Sequence, residues 1–211
     1  MKKETGLRWL FFFAGLMVLG LGAALTIKGQ RFGVGSWDVL HIGLFERLGL
    51  SIGLWSIIMG LIVITIASIG LREFPKIGTF INMTFVGIFI DFFNWLIPDS
   101  NTFSVQLIAF IIGVLLLAMG SGIYISAELG AGPRDSLMLL IVKKTHFSIA
   151  AARTIMEVVV AVAGYLLGGP LGIGTIVIAF ALGPIIQVTL KYSGKLLEKS
   201  VKLESVAHGH G

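Results

Sequence analysis

Gly33-Val34-Gly35-Ser36-Trp37-Asp38-Val39-Leu40 returns near mid-chain as Gly130-Ala131-Gly132-Pro133-Arg134-Asp135-Ser136-Leu137. The two stretches share a Gly-x-Gly-x-x-Asp frame 97 residues apart, residue 33 matching residue 130. The likeness extends outward from this frame. Gly15 and Gly22 pair with Gly113 and Gly120, and Ser51-Ile52 with Ser148-Ile149. Ile77-Gly78-Thr79 pairs with Ile173-Gly174-Thr175. The offset drifts from 98 through 97 to 96 along the chain, as duplicated segments separated by small gaps would give. The match spans most of residues 7–192. In membrane proteins such halves commonly form a binding site where they meet.

The setting is a membrane. The chain has 211 residues, 56% hydrophobic and 13% charged, with mean hydropathy +0.97. That is too apolar for a soluble domain. Six apolar stretches, 9–27, 52–71, 77–97, 105–127, 148–167 and 171–190, are each about the 20 residues that cross roughly 30 Å of hydrocarbon. The first is not read as a signal peptide, because its counterpart at 105–127 lies mid-chain. Cysteine is absent, which excludes disulfides, thiolate catalysis and cysteine-bound metals. The basic residues cluster at span ends and form no basic face, so nucleic acid is not an expected partner.

Two segments, 36–48 and 133–144, fall between the first and second span of each half. Each has about 12 residues, or about 18 Å of helix, too short to cross. Each opens as a helix does: Gly33 and Gly35, or Gly130 and Gly132, precede a Ser or Pro, and an Asp two residues later complements the exposed amides. If neither segment crosses, each half has three spans and the second half is inverted. With the N-terminus inside, 13 lysines and arginines then face in, and Lys28, Arg31 and Arg47 face out. If both crossed, the count would be 11 against 5. The positive-inside rule favours the inverted arrangement. The expected fold is an all-α polytopic membrane protein of six transmembrane helices, arranged as two inverted three-helix repeats, each with one short non-crossing helix. Its segments are a cytoplasmic N-terminus at 1–8, a first repeat at 9–97, an external linker at 98–104, a second repeat at 105–192 and a cytoplasmic tail at 193–211.

Candidate site residues follow from this frame. Asp38 and Asp135 occupy matching positions, as a paired cation, proton or amine site or merely as caps of their own helices. The helix starts favour anions, and Arg134 adds a positive charge where the first half has Trp37. The alternative places Arg134 at the cytoplasmic interface and Trp37 in an aromatic belt. Asp91 lies inside the third span with Asn82 and Asn94 on the same helix, and intramembrane ionisable groups tend to be functional. Glu157, four residues after Arg153, is read as its structural ion-pair partner. His41 stands one turn after Asp38, where the two could carry a proton. His208 and His210 are read as part of a disordered end. No metal site, cofactor or catalytic motif is expected, and the Gly-x-Gly follows a membrane span, which argues against a dinucleotide fingerprint.

Arg8-Trp9-Leu10-Phe11-Phe12-Phe13, Trp37-Asp38-Val39, Trp55-Ser56-Ile57-Ile58-Met59-Gly60 and Pro75-Lys76-Ile77-Gly78-Thr79 resemble the YczE branch of the bacterial YczE/YyaS/YitT integral membrane proteins. So does Leu129 to Leu137, the most specific of these motifs. The resemblance implies a bacterial plasma-membrane protein and carries no catalytic or binding residue across. The expected function is a small-molecule transporter or transport-related substrate-binding protein, with its site between the repeats. The alternative is a non-transporting accessory or scaffold acting through partner proteins. An enzyme is not expected. The expected partners are the lipid bilayer, a small-molecule or ion ligand, and either a second copy of the chain or a partner membrane protein.

Both chain ends are predicted to be cytoplasmic. Reporter fusions at residue 1 and after residue 202 should give the same cytoplasmic signal, and an external signal from either end would overturn the topology.

Overall fold

A computed structural model describes residues 2–50 and 52–207; His208 and His210 lie outside them. The described chain is helical, without strands: α1 (Lys2–Lys28), a 3-10 turn (Gln30–Phe32), α2 (Ser36–Leu48), α3 (Ile52–Leu71), α4 (Ile77–Leu96), α5 (Phe103–Ser126), α6 (Pro133–Thr145), α7 (Ile149–Leu166) and α8 (Ile173–Ala207). All but α2 and α6 are long and apolar enough to cross a membrane, which gives six spans. Large apolar side chains such as Ile69, Trp95 and Ile173 project outward. In lipid that surface is solvated, and each helix satisfies its own backbone. The segments at 2–8 and 193–207 continue α1 and α8 as helix.

The central contact is between α1 and α5. Gly15 packs on the backbone of Tyr124, Gly22 on Leu117, Gly120 on Leu19 and Gly113 on Thr26. Contact positions rise along one helix as they fall along the other, so the two run antiparallel. A Cβ at any of the four would meet main-chain atoms of the facing helix. Neither lipid nor water drives these surfaces together by exclusion alone, so close backbone approach and the dispersion it allows do so. The small residues flanking this seam seat the outer helices. Gly20 receives Phe89 of α4, and Gly122 receives Thr189 and Leu190 of α8.

The two short helices do not cross. The chain enters α2 at Gly33, which lies against Gly172 and Thr175, while Thr175 Oγ1 donates to the Val34 carbonyl at 2.6 Å. At the other end, Arg47 Nε donates to the Leu167 carbonyl at 3.2 Å. Residues 167–172 form the turn joining α7 to α8 and Thr175 lies in the first turn of α8, so both ends of α2 stay at one end of the bundle. α6 repeats this at the opposite end. Gly130 rests on Gly78 and Thr79 at the start of α4. Lys143 pairs with Glu73, just past α3, at 3.1 Å. Gly33 has φ +128° and Gly130 φ +152°, backbone that a residue with a Cβ adopts only under strain.

Six crossings return the chain to the face it left. Arg8 reaches Ala127 and Glu128 there, and one cavity on that face is lined by both Glu4 and Glu198. Two basic residues do not belong in the charge count: Arg134 and Arg153 sit within the bundle. The count outside it becomes 11 against 3, and the bias keeps its sign.

Packing across the halves is reciprocal. α2 lies on α7, with Leu40 against Gly164, and α6 lies on α3, with Leu140 against Gly70. One pair breaks the pattern. α7 and α8 pack along their length, with Gly183 against Ala150 and the Ala150 amide donating to Gln187 Oε1 at 2.9 Å. Their counterparts α3 and α4 diverge.

The glycine seam makes a direct prediction. Gly22→Ala or Gly120→Ala should cost about 1–3 kcal/mol or more, since the backbones must separate along their whole contact. Melting and monodispersity of purified protein would register this. Gly87→Ala, which has open space beyond its Cα, should leave both unchanged.

Candidate functional site

The site grows from the starts of α2 and α6. Their N-caps, Gly35 and Gly132, have no side chain with which to cap, and the Gly132 amide is taken instead by the Tyr124 hydroxyl. Neither Asp38 nor Asp135 acts as a hydrogen-bonding cap, which corrects that reading of the pair. Each contributes only its charge near the helix start.

Asp135 is buried and engaged. Its Oδ1 accepts from Arg153 Nη1 at 2.6 Å, and its Oδ2 accepts from the Tyr124 hydroxyl. That hydroxyl oxygen in turn accepts from the Gly132 amide at 3.2 Å. Arg153 Nε stands 2.9 Å from Glu157 Oε1, but the alignment is too poor for a hydrogen bond, so charge alone holds the pair. All four side chains are nearly inaccessible. Three helices, α5, α6 and α7, are thus tied by one polar cluster inside the membrane, where such groups are costly unless paired.

The matching positions of the first half lack this cluster. Tyr124, Arg153 and Glu157 correspond to Thr26, Ser56 and Gly60. Asp38 has no arginine and is about half exposed, with its Oδ1 3.9 Å from His41 Nδ1. Asp38 and Asp135 therefore sit in different environments and are not brought together as a carboxylate pair.

Trp37 and Arg134 are brought together. The Arg134 guanidinium lies over the Trp37 ring, 5.2 Å from its centroid. Trp37 is 3% exposed. The aromatic-belt reading of Trp37 is thereby overturned: the ring is inside the bundle, and a cation from the other half covers it. His41, one turn on, is 2% exposed, its ring centroid 6.5 Å from that of Trp37. Burial, with Arg134 close by, pushes its pKa down to about 4 against the opposing pull of Asp38, so the imidazole is neutral at pH 7.

The remaining candidates separate. Gly33 and Gly130 line openings at opposite ends of the bundle. Gly132 admits Asn82, whose Oδ1 occupies the space where a Cβ would stand. Asp91 is exposed on α4 and lines neither opening, while Asn94 on the next turn is partly buried. Tyr124 and Thr175 were not singled out by sequence. A hydroxyl in an apolar span signals nothing about its partner, although Thr175 lies in the repeated Ile-Gly-Thr.

The two openings correspond. One, of about 900 Å³, lies on the face holding both chain ends and is lined by Phe74, Pro75, Lys76, Glu128, Gly130 and Ala131, among others. The other, of about 310 Å³ on the opposite face, is lined by Pro170, Leu171, Gly172, Arg31, Gly33 and Val34. These sets are counterparts, position for position, at offsets of 96 and 97. The larger opening is closed at its rim by Arg8, which reaches Glu128 at 3.0 Å, and by Lys76, which donates to the Glu128 carbonyl at 2.9 Å.

Residues 6–191 match the family described as "Family of unknown function (DUF6198)". The chain is 44% identical to "Uncharacterized membrane protein YczE" of Bacillus subtilis, over 98% of its own length and 96% of that protein. It is 31% identical to an "Uncharacterized protein" of Haemophilus influenzae, covering 86% of this chain and 82% of that one. To "Uncharacterized protein YyaS" of Bacillus subtilis it is 28% identical, over 86% of this chain and 92% of that one. No solved structure matches. The chain belongs to the DUF6198 family of membrane proteins, in its YczE branch.

The buried cluster predicts an order of mutational effects. Arg153→Met strands two buried carboxylates and should cost about 3–5 kcal/mol. Adding Asp135→Asn and Glu157→Gln to it should recover most of that loss, because no charge is then left unpaired. Asp38→Asn should change stability by under about 0.5 kcal/mol, as for an exposed group. Chemical denaturation in detergent would measure all three, and an Asp38 effect equal to that of Arg153 would contradict this assignment.

Proposed function

We propose that this DUF6198 protein is a small-molecule transporter, or the substrate-binding protein of a transport system, in the bacterial plasma membrane. In this reading it is built as two inverted repeats with the site between them, and both termini are cytoplasmic. One observation carries the proposal: the paired openings. They are lined by matching residues, lie on opposite faces, and differ about threefold in volume.

Two copies of one sequence related by inversion can exchange conformations. When they do, the wide opening closes and the narrow one opens. The unequal packing of α7–α8 and α3–α4 supports this, because equivalent helix pairs in different states are what such an exchange requires. The antiparallel α1–α5 seam gives both halves a common axis, and the contact of Trp37 with Arg134 places the two motifs at one central point. The description of YczE of Bacillus subtilis goes no further than a membrane protein, so the transport reading rests on these features. No chemistry in the cluster calls for a catalytic step. A rigid accessory protein would have no use for matched openings of unequal size.

Alternation is testable because the chain is free of cysteine. Val34→Cys and Ala131→Cys occupy equivalent points of the two openings. A membrane-impermeant maleimide should label Ala131→Cys from the face bearing the termini and Val34→Cys from the opposite face. In the double variant, prior bulky modification at Ala131→Cys should hold its side open and slow labelling at Val34→Cys several-fold. Independent rates would refute alternation and favour a static accessory.

A further inference from the structure

The meeting point of the two motifs has a chemical sign. Arg134 forms no ion pair or hydrogen bond among the described residues, although both neighbouring clusters contain carboxylates. Its guanidinium is half-buried, covered on one face by Trp37, with its donor edges unmatched. Three buried side chains around it also lack partners: Trp37 Nε1, His41 Nε2 and Ser36 Oγ. Trp37 can only donate, and Arg134 can only donate. Both short helices begin here, each leaving free amides at the positive end of its dipole. Asp38 on α2 is about half exposed and makes no ion pair with Arg134, so the unmatched buried atoms here are mainly donors and lack an acceptor bearing negative charge. An uncompensated guanidinium at membrane depth is costly. By contrast Arg153, a buried guanidinium of the neighbouring cluster, has two carboxylates.

We propose that Arg134, Trp37 and His41 form an anion-binding site that takes the carboxylate or phosphate group of a small organic molecule. The assignment rests on the reading that the functional site lies between the repeats, and it names the substrate class of that site. Arg134 presents its fork to two oxygens of the anion. Trp37 Nε1 and neutral His41 donate to the same group, and the α6 start adds its dipole. The opening of about 900 Å³ reaches the chain on either side of Arg134, at Ala131 and Ser136, without being lined by Arg134, Trp37 or His41 themselves. The differing partners of the two motif aspartates follow from this. Asp135 is neutralised by Arg153 and so does not quench Arg134, which stays free for ligand.

The test is equilibrium binding by the purified full chain. In neutral detergent at fixed ionic strength, benzoate and inorganic phosphate are titrated while the melting temperature is read. In a second arm the protein sits in phosphatidylcholine nanodiscs with or without phosphatidylglycerol. Saturable stabilisation by benzoate or phosphate identifies a free anion, and stabilisation by phosphatidylglycerol alone identifies a lipid headgroup as the source of the same chemistry. Arg134→Gln should weaken half-saturation at least about tenfold, as expected for losing a charge-assisted contact. Without anion it should melt no lower than the parent, because it removes an unpaired charge. Should that variant fail to fold, Trp37→Phe, which removes the indole N–H and part of the ring, should weaken half-saturation while the chain keeps its helical content, at some cost in melting temperature because the position is buried. Absence of saturable stabilisation in both arms, or equal affinity in the variants, overturns the proposal. A chain that binds the anion yet shows independent labelling of the two openings refutes transport and leaves the site standing.

Discussion

Two helix backbones in contact set the terms for everything else in this bundle. α1 and α5 approach so closely that Gly15, Gly22, Gly113 and Gly120 each face main-chain atoms of the other helix. In hydrocarbon, apolar side chains gain nothing by leaving lipid for one another, so association depends on contact density and on satisfying polar groups. Four glycines on one seam supply the density. Because each belongs to a matched pair, the seam is self-complementary: Gly15 meets Tyr124 as Gly113 meets Thr26, its counterpart. α4 and α8 then dock on the outer flanks at Gly20 and Gly122. The short helices are left to fill the ends, and the six-helix frame leaves them no room to cross.

Polar groups supply the rest of the specificity, and they do so unequally. The second half ties α5, α6 and α7 through Tyr124, Asp135, Arg153 and Glu157. The first half keeps only the aspartate. A buried charge cluster is weak evidence of net stabilisation, since desolvating its members offsets most of their attraction. Its structural effect is to fix α6 against α7, which sets the position of Arg134 one residue from the anchored Asp135. α2 has no such anchor, and its N-terminal half is located by glycine contacts and by Thr175 on the Val34 carbonyl. The first half thus has the short helix without a charged anchor and the wider gap between its last two spans.

Much of the fold is legible in the sequence because its determinants are local or repeated. Span lengths follow from hydropathy, the limits of α2 from the glycines before Ser36 and after Leu48, and the seam from glycines recurring at one offset. Charge bias gives the number of crossings even though two of the arginines counted are interior. The site is legible in its members but not in their pairings. Arg153 and Glu157 are four residues apart on one helix, so their contact can be read. The bond from Arg153 to Asp135 joins different helices, and no spacing rule reaches it. Trp37 belongs to a type that often sits at interfaces, and its tertiary packing explains why it is inside: it joins the apolar core with Leu40, Tyr124 and Met138 and has a cation over its ring. Asp91 shows the converse, an intramembrane carboxylate that sequence marks as functional and the fold leaves on the outer surface of α4.

The sequence identity between the two motifs and the chemical difference between their surroundings belong to one argument. Glycines that set backbone path are shared: Gly33 with Gly130, and the Ile-Gly-Thr starts on which they rest. The side chains around the two shared aspartates are not: Trp37 against Arg134, His41 against Met138, Thr26 against Tyr124. A symmetric frame permits two equivalent backbone states, whereas a symmetric site would present each ligand with two competing poses. On the proposed reading, keeping the frame while letting the side chains diverge would yield one oriented site on a nearly two-fold scaffold. The contact of Trp37 with Arg134 is where that divergence meets. One position of the pair contributes an apolar face and a single donor, the other a fixed positive charge, and a ligand held between them has only one way to lie.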